Sequence, residues 1–215
     1  MAKQLAPISF DPNQFQQELG AFDKLLKRKA ALNERADIQP FFARHRHLSA
    51  SIGSYSLTTG RATELAFEFP LLGDFTTDLV LGNRAAGEFC VVEFEDGAAD
   101  SIFKRQPKRG NPEWSSRFEH GFSQLVDWFY HLDDFRGTEG FAKAFGYGRV
   151  RFAGLLVIGR QAGLDEARRN RLRWRSEKVL SDSHSVTCTT FDELAETLRR
   201  RFVVYGEDAE LELRG

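Results

Sequence analysis

The sequence predicts an α/β protein, a mixed central β-sheet flanked by helices. Three observations predict it. Residues 65–70, 76–81 and 88–95 are short strand-like pieces separated by tight turns, as in an antiparallel meander. Residues 113–133 carry one apolar stripe at helical period. Residues 150–158, Val-Arg-Phe-Ala-Gly-Leu-Leu-Val-Ile, form a near-continuous apolar run, the mark of a central strand covered on both faces. A meander followed by a crossover helix and such a strand gives a mixed sheet.

In chain order, residues 1–11 read as a flexible tail, 12–206 as one domain and 207–215 as an acidic tail. Asp11-Pro12 is a helix start, a capping acid followed by proline. Phe15, Leu19, Phe22, Leu25 and Leu26 then recur at helical spacing, predicting a helix over 12–31. Asn33 caps a second, short helix that Pro40 kinks or ends. Glu34 at its start suits the helix dipole. Residues 48–63 are small, polar and glycine-bearing and read as loop with at most one short strand. Leu65–Pro70 alternates as a strand, and Thr76–Leu81 and Phe89–Glu95 complete the meander. Residues 97–112 read as a loop, with Lys104, Arg105, Lys108 and Arg109 and no acid between 101 and 112. That is either a solvated loop or a phosphate-contacting flap.

The helix over 113–133 places Phe118, Phe122, Leu125, Val126, Phe129 and Leu132 inward. Arg117, Gln124, Trp128 and His131 fall on the adjoining stripe, where Gln124 is either a satisfied structural residue at the core boundary or one that faces the preceding acidic strand. Residues 141–147 look irregular. A basic helix over 164–180 packs through Leu164, Ala167, Leu172, Trp174 and Val179. Ser185–Thr190 is the last strand, and Thr190-Phe-Asp-Glu193 is a capping box opening a helix over 191–203.

A chain of 215 residues with 41% apolar and 28% charged content is long enough for a sizeable core, here rich in its 20 phenylalanines. A net charge of −1 gives no overall basic field. Cys90 and Cys188 lie in apolar runs and read as reduced core residues, so a cytoplasmic location is expected. No apolar run approaches the roughly 18 residues of a membrane span, so no membrane partner is expected. His45 and His47 lack further ligands at zinc spacing, and no P-loop or nucleophile elbow is present.

The chemistry sits on two strands. Asp78 lies in one, and Glu93 and Glu95 close the next. Three carboxylates on neighbouring strands repel unless a cation lies between them, and the usual cation with oxygen ligands is divalent.

The order of elements, with Asp78 on the second strand, Glu-x-Glu on the third and a helix directly after, resembles the PD-(D/E)XK nuclease superfamily and its αβββαβ core. More narrowly, the chain resembles the Shedu family of bacterial anti-phage defence nucleases. The resemblance rests on segments beginning at Glu34, Asp74, Val91, Trp114, Val157 and Val186 and spans most of residues 34–194. It implies a restriction-endonuclease-like fold with helical additions at both ends. It also implies divalent-metal-dependent hydrolysis of nucleic acid, DNA above all.

Carried over by position, Asp78 and Glu93 are the ligands of Mg²⁺ (or Mn²⁺). Glu34 assists through water, and Gln124 is the helix glutamine beside the metal. Glu95 stands where the superfamily pattern has lysine, and a carboxylate supplies no cation. Glu95 then recruits a second ion, or Lys104 or Arg117 supplies the missing charge. Lys104, Arg105, Lys108, Arg109 and Arg117 are the expected nucleic-acid contacts. The alternative is a catalytically inactive module of the same fold that binds nucleic acid or a partner protein. Homo-oligomers fit either reading.

Overall fold

Most of the longer helices start where a side chain can satisfy the free N–H groups of a first helical turn. In the computed structural model, which describes residues 3–57, 61–71, 75–104, 112–181 and 184–212, with side chains to 203, Asp11 accepts from the N–H groups of Asn13 and Gln14. That opens α1 (Pro12–Arg28). Asn33 caps a π-helical turn over Glu34–Ile38 that runs directly into α2 (Gln39–Arg44), with Pro40 in its first turn. Ser115 caps α4 (Ser116–Phe135), Thr138 caps α5 (Glu139–Phe145) and Asp165 caps α6 (Glu166–Lys178). Thr190 accepts from the N–H of Glu193 at 3.1 Å at the head of α7 (Phe191–Glu212). α5, together with one further helix, departs from the sequence reading.

Residues 48–55 are not loop. They hold α3 (Arg46–Ser51) and a 3₁₀ turn over Ile52–Tyr55. The small polar residues are there to pack: Ser49 and Ser51 return their hydroxyls to the carbonyls of His45 and His47. Leu48, Ala50 and Ile52 are buried. Residues 141–145, part of the stretch 141–147 expected to be irregular, belong to α5, which forms because Thr138 caps it and Phe141 and Phe145 reach the core. His45 and His47 are half-buried and structural: His45 stacks on Phe41, and His47 accepts the N–H of Asp11.

The strands are β1 (Ala6–Pro7), β2 (Glu64–Pro70), β3 (Thr76–Asn83), β4 (Glu88–Phe94), β5 (Arg151–Val157), β6 (Leu180–Ser181) and β7 (His184–Thr189). They form one seven-stranded sheet in the order β1-β2-β3-β4-β5-β7-β6. β2, β3 and β4 are antiparallel, whereas β4, β5 and β7 are parallel. The mixed α/β architecture is as the sequence predicts. Part of the N-terminal stretch is structured, since Ala6 pairs with Leu65 and Leu5 is buried.

Alternation along the strands divides two cores. Leu79, Leu81, Cys90, Val92 and Phe94 pack under α1, α2, α3 and α7. Val80, Phe89 and Val91 pack under α4, α5 and α6. Cys90 and Cys188 are free thiols inside these layers. Trp128, expected on a flanking stripe, is 1% exposed in the α4 core. Trp174, expected to pack, is 61% exposed, because α6 presents only Leu172 to the core as a fully buried side chain. No helix among the described residues is long and apolar enough to cross a membrane.

Arg160, just past β5, binds the layer of α1 to α7. Its guanidinium donates to both Asp192 oxygens and to the carbonyls of Lys29 and Leu26. Burial alone would raise the Asp192 carboxyl, but Arg160 and the Gln161 N–H outweigh burial and hold it below the usual range. A lowered folded-state pKa stabilises above the unfolded value, about 3.9, and that contribution disappears as pH falls through the folded value. Asp192→Asn is therefore expected to flatten the fall of Tm below about pH 4, measured by thermal melts from pH 2 to 7. An unchanged acid slope would contradict the pairing.

Candidate active site

The acids predicted from sequence meet at one end of the sheet. The β3–β4 register pairs Leu79 with Val92, so the next step sets Asp78 opposite Glu93. Both share the face of Val80 and Val91, beneath α4. Their carboxyl groups hydrogen-bond to each other. Asp78 also accepts the Phe94 N–H at 2.8 Å and the Gln39 amide at 2.9 Å.

Burial pushes the Glu93 carboxyl far above its ordinary range, and the charges of Asp78, Glu95 and Glu34 push it further. Burial raises Asp78 less, because the N–H of Phe94 and the amide of Gln39 stabilise its anion. Burial therefore favours the neutral form of Glu93 over that of Asp78, with the Glu93 carboxyl as the donor of the pair.

The sheet opens beside this pair. β2 and β3 pair Phe67 with Leu79 and Phe69 with Thr77, and the step between them, Glu68 against Asp78, is missing. Glu68 has φ +47°, a left-handed conformation rare outside glycine. The break leaves Asp78 facing a cleft of about 520 Å³, whose lining includes Glu34, Glu68, Glu93, His120 and Gln124. Sequence reasoning missed Glu68, since it reads as an ordinary outward residue of an alternating strand.

Glu34 reaches the cleft from the turn before α2. Its N–H donates to Asp96 at 2.8 Å, and the Gln39 amide bridges Glu34 and Asp78. Burial first, then Asp78, Glu95 and Asp96, raise its pKa. From above, α4 supplies Arg117, His120 and Gln124, positions three and four residues apart on one stripe. That spacing was the signal that could have found His120.

Glu95 is 2% exposed, and its two oxygens are taken by Arg117 at 2.9 Å and by His120 Nδ1 at 3.1 Å. Arg117 also pairs with Asp96 at 3.1 Å and lies 3.9 Å from Glu34. Of the two cations considered for the missing lysine, Arg117 is therefore the one among the acids. Lys104 is exposed and pairs with Glu113 at 3.3 Å. Arg105, Lys108 and Arg109 lie outside the described residues.

Among the described residues no three His, Cys, Asp or Glu side chains form a ready cage for a metal. Mg²⁺ does not need one: it commonly takes one or two carboxylates and keeps several waters. Asp78 and Glu93 offer two carboxylates. The buried Oε1 of Gln124, on the same cleft, has no hydrogen-bond partner. An orphaned amide oxygen costs about 1–3 kcal/mol, and an ion or its water would satisfy it. The oxygen-only donor set fits Mg²⁺ or Mn²⁺ rather than a softer ion.

The family model described as Shedu protein SduA, C-terminal, matches residues 31–195, which hold every residue of this cleft. No curated protein matches the chain.

Proposed function

The chain belongs to the Shedu family through its SduA C-terminal region, and from that premise we propose that it serves anti-phage defence by metal-dependent hydrolysis of nucleic acid, DNA in the first place. The observation that carries this reading is the facing pair of acids, Asp78 and buried Glu93, on one cleft with the unpartnered oxygen of Gln124. A binding module has no need of such a pair, because burying two acids together costs stability that ordinary polar residues would not.

Asp78 and Glu93 would hold a divalent cation between their carboxylates. When bound, such a cation would lower the pKa of a water and polarise the phosphoryl oxygen. Gln124 orients water or phosphate by hydrogen bonding. Glu34, tied to Asp78 through Gln39, positions outer water. Arg117 neutralises Glu95 and Asp96, which would otherwise repel a phosphate, and offers the positive charge that the lysine of the resembled pattern would give. Lys104 and the basic segment after it contact the nucleic-acid backbone electrostatically, so affinity falls with salt.

The test is cleavage of supercoiled plasmid and of linear duplex in Mg²⁺, in Mn²⁺ and in EDTA. Cutting is expected with either metal and none in EDTA. Binding without cutting in every condition would overturn the enzyme reading and leave a non-catalytic module.

A further inference from the structure

Glu95 occupies the place where the superfamily pattern has lysine, and its surroundings give it a different use. We propose that Glu95 and His120 form an orienting dyad in which His120 is the general base for the attacking water. The proposal rests on the nuclease reading above and adds to it the group that takes the proton.

Four observations carry it. Glu95 is buried, yet one oxygen is placed 3.1 Å from His120 Nδ1. Arg117 holds the other oxygen at 2.9 Å, so the carboxylate is fixed at both ends. Gly121, next to His120, makes room for it: a Cβ there would lie 3.0 Å from Glu95 Cγ and 2.8 Å from Leu156 Cδ1. The His120 side chain is itself 68% exposed and lines the cleft shared with Asp78, Glu93 and Gln124. A buried carboxylate that holds one imidazole nitrogen fixes the tautomer and leaves the other nitrogen as a base. A purely structural ion pair would not need its histidine on the cleft.

In the step, Nδ1–H of His120 donates to Glu95 and Nε2 carries the lone pair. As a water oxygen bonds to phosphorus, the water's proton passes to Nε2. The P–O bond to the leaving sugar oxygen breaks, and that oxygen takes a proton from solvent. His120 then returns its proton to solvent, so one water is consumed for each bond cut.

The experiment is single-turnover cleavage of plasmid in Mg²⁺ by the wild type, His120→Ala, Glu95→Gln and the double variant, with DNA affinity and Tm measured on each. His120→Ala is expected to slow cleavage by about 10²–10⁴-fold with affinity unchanged. Added imidazole should restore part of the rate, and the double variant should be no slower than His120→Ala. Should Glu95→Gln fail to fold, ¹⁵N NMR of the wild-type histidine is expected to show Nδ1 protonated and Nε2 free. Cleavage by His120→Ala at the wild-type rate, or an Nε2–H tautomer, would overturn the dyad and leave the metal pair standing. No cleavage by the wild type itself would overturn both.

Discussion

Glu93→Gln is expected to lower metal-dependent cleavage by about 10³-fold or more, the several kcal/mol that a metal ion supplies to charge stabilisation, while leaving the fold intact. The two halves of this expectation have one physical cause. Burial favours the neutral form of Glu93, and a glutamine amide has nearly the shape of that neutral carboxyl. The amide can still donate to Asp78, so Tm should hold within a degree or two. What the amide cannot do is give up a proton and become an anionic ligand. Asp78→Asn should abolish cleavage as well but cost more stability. Asp78 accepts from both the Phe94 N–H and Gln39, and the new amide would turn a donor towards one of them, at about 1–3 kcal/mol. Plasmid-nicking rates with melting curves for both variants check this. Retained cutting by folded Glu93→Gln would contradict the assignment.

Trp128→Ala is expected to destabilise by about 3–5 kcal/mol, the usual range for removing a fully buried large aromatic. Trp128 lies with Phe118, Phe122, Leu125, Phe129 and Leu132 in the core beneath α4. Its loss leaves a cavity that the sheet cannot close by relaxation. The same helix carries Arg117, His120 and Gln124, so a core variant that folds at all should also cut DNA more slowly. Denaturant unfolding measures the effect. A loss below about 1 kcal/mol would mean that α4 sits in another rotation, with its polar stripe turned from the cleft.

The meander and the last two helices were legible because alternation, turn residues and caps agree there with tertiary packing. The acid pair was legible because carboxylates closing an apolar strand have no structural excuse. Other features obeyed forces that local pattern does not carry. Ser49 and Ser51 look like loop residues until their hydroxyls bond back to the helix. Trp128 has a polar nitrogen and falls beside the main stripe, but it is buried in the core between α4 and the sheet. Trp174 reads as core by type, and the narrow contact of α6 leaves it outside. Glu68 gives no signal in the sequence, since its conformation is set by the break in pairing opposite Asp78. The partners of Glu95 were half legible. Arg117 stood out as a cation, whereas His120 needed the geometry to reveal which acid it meets.

The most direct test of the central claim is anomalous diffraction from crystals grown with Mn²⁺. A single strong peak within ligand distance of both the Asp78 and Glu93 carboxylates, on the side of Gln124, is the result expected. Saturating Mn²⁺ that leaves those carboxylates hydrogen-bonded to each other, with no peak between them, would contradict it.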